Sequence, residues 1–262
     1  MTLEWDASEY EAVSAPQTGW GAGFLGVFLE RRGLRGDEAA VDAGCGTGRV
    51  TELLLRHLPD GTVLAIDASE AMVEAARSRF AGDGRVRVER QDLRELEVEE
   101  PVDVIFSTAT LHWILDHDRL FERFASALKP GGRLVAQCGG KGNIARTLAV
   151  TEQIMGEDRF KDAFAGWEVG WNFPDPETTK ARLEAAGFED VETWLHEEHA
   201  GFDSPDELAR FLSTVVLKHH QTYLPEGERE PFVAAVAERL ARETLVIDYV
   251  RLNMLATKSG DA

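Results

Sequence analysis

Hydrophobic residues follow two different periods along this chain of 262 residues. Between residues 39 and 138, short runs rich in aliphatic and β-branched side chains alternate with longer segments of helical periodicity. The runs predict five strands, at 39–43, 62–67, 86–90, 102–107 and 133–137. Strands that alternate with helices form parallel βαβ units with right-handed crossovers. The pattern therefore predicts the α/β class, with a doubly wound and mostly parallel sheet.

Four predicted helices begin at residues that favour the N-cap position. These residues are Ser69, Asp118, Asp175 and Ser204. The first two start helices over 70–79 and up to residue 128, where a Pro-Gly-Gly sequence ends the second helix. Proline follows Asp175 and Ser204 directly, and it suits the first position of a helix.

The segments before and after this alternating region show different patterns from it. Residues 1–38 are predicted to be mostly helical, with apolar positions between 24 and 29 spaced to form one packed face. We expect this segment to cover one edge of the sheet as a lid. Beyond residue 140 helices dominate, but β-rich segments at 191–196 and 246–257 predict a sixth and a seventh strand.

The insert between these last two strands is expected to cap the carboxyl edge of the sheet. No linker or internal repeat interrupts the sequence. We therefore predict one domain, with a lid at 1–38, a core at 39–140, and the last strands and the helical cap at 141–262.

Charge and cysteine content narrow the possible functions. The chain has 28 basic and 47 acidic residues, a formal net charge of -19, which argues against a nucleic-acid partner because phosphate binding depends on Lys and Arg. Cys45 and Cys138 supply neither a disulfide framework nor a C-x-x-C pair. The first six residues lack an export signal, and no apolar run approaches the ~18 residues of a membrane span. We expect a cytoplasmic protein without a membrane segment.

A glycine-rich turn follows the first strand, and an acid ends the second. Residues 42–48 read Asp-Ala-Gly-Cys-Gly-Thr-Gly, and Asp67 closes the run at 62–67. This pairing is how α/β sheets hold the ribose of a nucleoside cofactor. A dinucleotide motif would place its third glycine where Arg49 stands, whereas Gly48 comes one residue earlier. The spacing therefore disfavours a nicotinamide oxidoreductase, which stays as an alternative.

With three later landmarks, this D-x-G-x-G-x-G motif resembles the class I methyltransferases that use S-adenosylmethionine, a cofactor without a phosphate. The landmarks are Gln91-Asp92-Leu93 after the third strand, Phe106-Ser107-Thr108-Ala109 after the fourth and Leu128-Lys129-Pro130-Gly131-Gly132 before the fifth. The resemblance implies a seven-stranded Rossmann-like sheet, S-adenosylmethionine as the cofactor, and methyl transfer as the activity.

A second resemblance concerns the methyl acceptor. Leu111-His112-Trp113, together with Trp5-Asp6, is similar to the branch that contains trans-aconitate and juvenile-hormone acid methyltransferases. These enzymes esterify carboxylates of small molecules. The resemblance implies a small-molecule acceptor, and it is best over residues 1–140.

Four segments of the motif set converge on the carboxyl edge of the sheet, where open α/β sheets bind ligands. Asp67 has two carboxylate oxygens for two ribose hydroxyls, or it caps the helix after Ser69. Gly44 and Gly46 let the backbone approach the cofactor, because a side chain there would occupy its space. Asp42 is expected to orient this loop and the cofactor ammonium.

The resemblance to the methyltransferases assigns further cofactor contacts. It implies that Asp92 binds the adenine amino group, that Leu93 donates its backbone N–H, and that Met72 lines the ring, although Met72 equally suits a helix core. Tyr10 and Gln17 resemble N-terminal polar residues that related enzymes fold over the methionine end. The full predicted cofactor-binding set is Tyr10, Gln17, Asp42, Ala43, Gly44, Cys45, Gly46, Asp67, Ala68, Met72, Gln91, Asp92, Leu93, Ser107, Thr108 and Trp113.

The acceptor side offers one catalytic candidate. A sulfonium methyl group needs in-line alignment more than an acid or a base, and the sequence shows no catalytic triad. His112 is a hydrogen-bond donor to a carboxylate, a base for a hydroxyl, or a structural histidine beneath Trp113. His196 and His199 are three positions apart on a predicted strand, hence on opposite faces, and we predict no metal site. The predicted substrate-binding residues are Trp20, Trp167, Trp171, His219, His220 and Tyr223.

The acceptor itself is predicted to be a small and mostly hydrophobic metabolite. Five aromatic residues fall between 160 and 173, and aromatic side chains beside a cleft suit an apolar or ring-bearing substrate. A tricarboxylate would require clustered arginines, whereas Arg146, Arg159 and Arg182 are scattered beside acids. We therefore expect methylation of a carboxylate or hydroxyl oxygen. C- or N-methylation, or a protein that binds S-adenosylmethionine without catalysis, are the alternatives.

Overall fold

The central sheet contains seven strands within residues 4–260, the part of the chain that this computed structural model describes. The strands are β1 (Ala39–Ala43), β2 (Thr62–Asp67), β3 (Val86–Arg90), β4 (Val102–Thr108), β5 (Leu128–Gly139), β6 (Phe188–Gly201) and β7 (Val246–Lys258). Their order across the sheet is β3-β2-β1-β4-β5-β7-β6. Strands β1 to β5 pair in parallel, and β7 is antiparallel to both β5 and β6. The predicted seven-stranded, mostly parallel sheet is confirmed.

Residues 1–3, at the start of the predicted lid, and residues 261–262, at the end of the predicted cap, lie outside the described residues. The helices of the described chain are α1 (Ala7–Val13), α2 (Ala15–Arg31), α3 (Arg49–Leu55), α4 (Glu70–Arg79), α5 (His117–Ala127), α6 (Ala145–Met155), α7 (Pro176–Ala185), α8 (Pro205–Phe211), α9 (Lys218–Gln221) and α10 (Glu226–Ala241). Short 3-10 turns at Leu93–Glu95 and Leu111–Trp113 follow β3 and β4, and a π-helical turn at Leu212–Val216 follows α8. Among the helices of residues 4–260, none combines the length with the hydropathy that a bilayer crossing requires.

The core strands are apolar on both sides because helices pack on both faces of the sheet. On one face, Ile105 of β4 packs in a cluster with Phe121 of α5. On the other face, the neighbouring Val104 packs in a cluster with Phe28 of α2. All four side chains are fully buried. This burial on two sides fixes the strand ends, where the motif residues lie.

A further apolar cluster forms the cap. It joins α6, which follows β5, to α8 and α10, which lie between β6 and β7. Phe160 and Phe164 lie inside this cluster against Phe232, at ring-centroid distances of 5.3 and 5.2 Å. The cap is therefore built from two insertions, whereas the sequence pattern predicted one.

Two of the predicted helix caps differ from the structure. The N-cap of α5 is Asp116, whose carboxylate accepts a hydrogen bond from the N–H of Arg119 at 3.1 Å. The prediction of Asp118 as the N-cap was wrong, because Asp118 lies inside the first turn of the helix and pairs with Arg182 of α7. Ser69 stands at the N-cap of α4, but its hydroxyl donates to the carboxylate of Glu4 at 2.7 Å instead of capping the helix. The two proline-linked caps are confirmed at α7 and α8.

Candidate active site

A cavity of about 710 Å³ lies at the carboxyl ends of β1, β2 and β4. Its wall also includes residues of α1 and α2, the turn after β4, and the cap. From the N-terminal segment, the wall includes Trp5, Tyr10, Ser14, Gln17 and Thr18. Trp5, just before α1, contacts Tyr10 and Trp113 edge-to-face, at centroid distances of 5.6 and 5.8 Å. The N-terminal segment and the turn after β4 thus close the cavity together.

The glycine loop after β1 is held by backbone hydrogen bonds to β2. The N–H groups of Gly44 and Cys45 donate to the carbonyl of Ile66 at 2.8 and 2.9 Å. Gly44 has a φ of +82°, and a Cβ there would lie 2.1 Å from Oγ1 of Thr110. Gly46 has a φ of +55° and faces open space in the cavity wall. At Gly44, a side chain would therefore collide with Thr110. At Gly46, a side chain would meet no protein atom and would project into the space of the ligand.

Asp67 ends β2 and lines the cavity. Its two carboxylate oxygens accept the N–H groups of Gly46 at 3.0 Å and Ser69 at 2.9 Å. Each oxygen has two lone pairs, so one on each oxygen is available to a ligand hydroxyl. Burial raises the pKa of Asp67, against the effect of these hydrogen bonds. The geometry accommodates both predicted roles, the local cap and the pair of ribose contacts.

Asp42 is a buried carboxylate in the wall of the same cavity. It accepts a hydrogen bond from Oγ1 of Thr51 at 2.5 Å. Burial raises its pKa to about 7. Within residues 4–260, no Lys or Arg forms an ion pair with it. A bound ammonium group would supply the missing positive charge, which fits the role predicted for Asp42.

The predicted adenine region also lies at the cavity. Met72 and Leu93 are buried in its wall, so Met72 is both a core residue and a wall residue. Asp92 lines the cavity too, but the guanidinium of Arg94 binds its two oxygens, at 2.9 and 3.1 Å from Nε. These bonds lower the pKa of Asp92. A ligand amino group would therefore share this carboxylate with Arg94, which the sequence reasoning missed.

The structure brings most of the predicted cofactor residues to the cavity. The predicted residues in its wall are Tyr10, Gln17, Asp42, Gly44, Cys45, Gly46, Asp67, Ala68, Met72, Asp92, Leu93, Thr108 and Trp113. Three others do not line it. Ser107 is buried and donates to the carbonyl of Ala43 at 2.6 Å, which ties β4 to β1, and the amide of Gln91 donates to Glu89 at 2.8 Å. Ser107 and Ala43 thus support the wall from behind, whereas Gln91 is partly exposed and bonds to Glu89 of β3.

His112 lies in the 3-10 turn after β4 and is buried in the cavity wall. Its Nδ1 accepts a hydrogen bond from the N–H of Gly139 at 3.3 Å. Because Nδ1 uses its lone pair in this bond, we assign the proton of the neutral ring to Nε2. Burial and the nearby charge of Arg251 lower the pKa of His112 well below its ordinary value. This geometry suits a hydrogen-bond donor to a ligand. The ring also packs against Trp113, at a centroid distance of 4.9 Å, as a structural histidine would.

Arg251 of β7 is a further cavity residue that the sequence reasoning missed. Its side chain is 2% exposed, and its Nε and Nη2 have no hydrogen-bond partner among the described residues. It pairs with Gly139 of β5 in the antiparallel register. The guanidinium lies 5.4 Å from the ring centroid of Trp20 and 6.0 Å from that of Tyr249. An arginine inside the apolar run 246–257 was the sequence signal that could have found it.

Three of the six predicted substrate residues line the cavity. These are Trp171, His219 and Tyr223. Trp167 instead stacks on buried His220, at a centroid distance of 4.5 Å and an interplanar angle of 19°, and Trp20 packs on Tyr249 at 4.6 Å. Burial lowers the pKa of His220 to about 3, so this ring is a neutral packing element. Trp20, Trp167 and His220 therefore stand one layer behind the wall.

Four other arginines in and around the site, Arg49, Arg94, Arg159 and Arg182, are already paired with acids. Arg159 and Arg182, which lie outside the cavity, bind acids of the surface at 2.7 and 3.2 Å. Arg49 lines the cavity, but it pairs with Glu11 at 3.2 Å, just as Arg94 is engaged by its own acid. Arg146 is exposed and does not line the cavity. Arg251 differs from these arginines because it lines the cavity, is buried, and has no acidic partner among the described residues.

Comparison with known proteins assigns this chain, including the glycine loop after β1, to a protein family. The methyltransferase-domain family matches residues 40–132. The trans-aconitate 2-methyltransferase of Sinorhizobium fredii (strain NBRC 101917 / NGR234) is 30% identical over 230 residues, which cover 84% of this chain and 87% of that protein.

Two solved structures share the fold. The YcgJ protein from Bacillus subtilis aligns with a TM-score of 0.63 at 14% sequence identity, over 90% of this chain and 98% of that one. Phosphoethanolamine N-methyltransferase 2 of Haemonchus contortus, solved with phosphomonomethylethanolamine and S-adenosylhomocysteine, gives a TM-score of 0.62 at 19% identity. That alignment covers 97% of this chain and 57% of that one.

The residues of the cavity fit S-adenosylmethionine. Gly46 leaves its side-chain position open, Asp67 keeps lone pairs for hydroxyl groups, and buried Asp42 has no cationic partner within the described chain. The predicted cofactor and the predicted enzyme class are confirmed by the family match and the relative. The alternative of a nicotinamide oxidoreductase is thereby set aside. The chain belongs to the class I S-adenosylmethionine-dependent methyltransferases.

Proposed function

We propose that this enzyme transfers the methyl group to a carboxylate oxygen of a small acid whose remaining surface is mostly apolar. The observation that carries the proposal is the continuity of the cavity from the cofactor loop to an apolar wall in the cap. That wall consists of Ile144, Leu148, Val169, Trp171, Phe173, Val215 and Val216. The relative named for trans-aconitate methylation supports a carboxylate as the accepting group.

The charges of the cavity support one carboxylate rather than three. Arg49 and Arg94 are neutralised by their own acids. Glu168 and Asp116 add negative charge to the wall. Additional carboxylates of a tricarboxylate would lie near these acids without a cation to balance them, and like charges in a partly buried site repel. The apolar wall instead matches an alkyl or aryl body.

The protein's contribution to the reaction is binding, orientation and the exclusion of water. When bound, S-adenosylmethionine supplies an electrophilic methyl group, whose transfer to an oxygen lone pair leaves a neutral thioether. A carboxylic acid with a pKa near 4 is already ionised at neutral pH, so no base has to remove a proton. Neutral His112 can hold the carboxylate by donating from Nε2. Alignment of this kind is worth ~7–11 kcal/mol.

We also propose a cytoplasmic location and no nucleic-acid partner. Cys45 and Cys138, the cysteines of the described chain, are both buried and unpaired, which suits a reducing compartment. The formal charge of -19 opposes association with a phosphate backbone.

A panel of acceptors tests the proposed function. Purified enzyme would be given methyl-labelled cofactor with 3-phenylpropionate, octanoate, phenol or trans-aconitate, and label transfer would be measured as initial rates. We expect kcat/KM for the apolar monocarboxylates to exceed that for trans-aconitate by at least about tenfold, a difference of 1.4 kcal/mol. A preference for trans-aconitate or for phenol would overturn the proposal.

A further inference from the structure

Arg251 combines burial with a lack of partners. A buried guanidinium is normally paired or hydrogen-bonded, because removing its charge from water without compensation is costly. Here two of its nitrogens, Nε and Nη2, have no hydrogen-bond partner in residues 4–260, and the residue lines the cavity. Burial lowers the pKa of Arg251, yet a guanidinium keeps its proton in proteins. The structure therefore holds a positive charge that has no counterpart in the described chain.

Within residues 4–260, no acid forms an ion pair with Arg251. The carboxylate of Glu198 in β6 raises the pKa of Arg251 electrostatically, but it lies within ion-pair distance of His196, at 3.3 Å, and not of the guanidinium. The groups that do surround Arg251 are neutral. They include the rings of Trp20 and Tyr249, the phenol of Tyr10, the imidazole of His112 and the thiol of Cys138, whose pKa burial raises to about 12. A ligand anion is the partner that this environment lacks.

The strand register places a second donor beside this charge. Arg251 pairs with Gly139 across β7 and β5. The N–H of that same glycine donates to Nδ1 of His112, which leaves Nε2–H as the group that His112 offers to a ligand. One backbone position thus holds both side chains at the carboxyl edge of the sheet. A carboxylate has two oxygens, and it can accept from both donors at once.

We propose that Arg251 binds the carboxylate of the methyl acceptor, with the Nε2–H of His112 as the second donor. The proposal rests on the proposed function and deepens it, because it assigns a specificity-determining residue and limits the acceptor to one carboxylate at this position. The guanidinium and the Nε2–H of His112 each take one lone pair of the carboxylate, and because each oxygen has two lone pairs, one remains available for methylation. A neutral isostere of the acid, such as its primary amide, would lose the charge and would leave Arg251 buried without a partner.

Binding to the complex with S-adenosylhomocysteine tests this inference independently of turnover. Calorimetry would compare 3-phenylpropionate with 3-phenylpropanamide, which differ in charge but hardly in shape. We expect the wild-type complex to bind the acid about 10- to 100-fold more tightly than the amide. Arg251→Met should reduce that ratio to within about threefold, and Arg251→Lys, which keeps the charge without the planar fork, should give an intermediate ratio.

The matched control is Arg159→Met, the same chemical change at an exposed position of the cap. It should keep the wild-type ratio. His112→Leu should weaken acid binding several-fold, whereas His112→Gln, which retains an N–H donor, should recover part of the loss. An unpaired buried charge lowers the free energy of unfolding. Without acceptor, Arg251→Met should therefore have a Tm no lower than that of the wild type.

The outcomes separate the two proposals. An acid-to-amide ratio that stays at the wild-type value in both Arg251 variants would overturn the inference, even if the enzyme esterifies monocarboxylates. A ratio that collapses in Arg251→Met, in an enzyme that methylates none of the acids, would support Arg251 as the carboxylate site and would defeat the proposed function. A wild-type enzyme that binds acid and amide equally would also overturn the inference.

Discussion

The backbone N–H of Gly139, at the end of β5, donates a hydrogen bond to Nδ1 of His112 at 3.3 Å. The bond joins the end of β5 to the turn after β4, and it assigns the imidazole proton to Nε2. Burial, with the positive charge of Arg251, holds the pKa of His112 well below its ordinary value of 6.5. His112 is therefore a neutral donor across the physiological range rather than a proton acceptor.

Turnover of a carboxylate acceptor should consequently be independent of pH between about 5.5 and 8.5, at saturating cofactor and acceptor. Neither the ionised acid nor neutral His112 changes its charge over that range. Initial rates measured across it in buffers of constant ionic strength check the expectation. A rate that falls on the acidic side, with an apparent pKa near 6.5, would show that His112 has to accept a proton.

Cofactor affinity, in contrast, should depend on pH through Asp42. Burial raises the pKa of this carboxyl to about 7, and a bound ammonium group favours the ionised form. The protonated form is thus lost on binding, so affinity rises with pH and levels off above pH 7. We expect S-adenosylhomocysteine to bind about tenfold more weakly at pH 6 than at pH 8, with release of about half a proton at pH 7.

Calorimetry in two buffers of different ionisation enthalpy measures that proton directly. Asp42→Asn is the control, because an amide of the same shape cannot titrate. Its affinity should be weaker and the same at both pH values. A wild-type enzyme whose affinity is independent of pH over this range would exclude Asp42 as the partner of the ammonium.

Loss of the Asp67 carboxylate should weaken cofactor binding strongly. Asp67→Asn keeps the shape but loses the charge-assisted acceptors for two hydroxyl groups, and bonds to a charged group contribute about 1.5–3 kcal/mol. We expect the Kd for S-adenosylhomocysteine to rise correspondingly, by about 10- to 100-fold. Asp60→Asn, at an exposed acid before β2, is the matched control. Equal affinities in the two variants would rule out the ribose role of Asp67.

Ser107 should affect stability rather than contact with the ligand. Its buried hydroxyl donates to the carbonyl of Ala43 at 2.6 Å, behind the cavity wall. Ser107→Ala leaves that carbonyl without this donor, at a cost of about 1–3 kcal/mol. Urea unfolding should show the loss as a lower midpoint with an unchanged slope. Unaltered stability with a large loss of cofactor affinity would instead make Ser107 a direct contact.

The sheet and the cofactor loop were predictable from the sequence because both depend on local patterns. The predicted strands at 39–43, 62–67 and 86–90 coincide with β1, β2 and β3, since apolar runs bounded by turn residues define them. The seventh strand, predicted at 246–257, nearly coincides with β7, but the sixth, predicted at 191–196, was too short, because β6 pairs with β7 as far as Gly201. Pairing of that kind depends on a partner strand and not on the strand's own sequence.

The acceptor side could be predicted only in part, because tertiary contacts decide it. Whether an aromatic residue of the cap faces the cavity or packs behind it depends on the helix that it meets, as Trp171 and Trp167 show. Arg251 depends on the register of β7 against β5, which places it opposite Gly139. No local pattern specifies that register, although an arginine inside an apolar strand indicates a buried charge that requires a partner.

The chemical identity of the product tests the central claim most directly. Enzyme, methyl-labelled S-adenosylmethionine and 3-phenylpropionate would be incubated together, and the labelled product would be isolated and treated with mild alkali. We expect a methyl ester, from which alkali releases the label as methanol. A labelled product that withstands alkali, with the methyl group on carbon, nitrogen or an ether oxygen, would contradict the account.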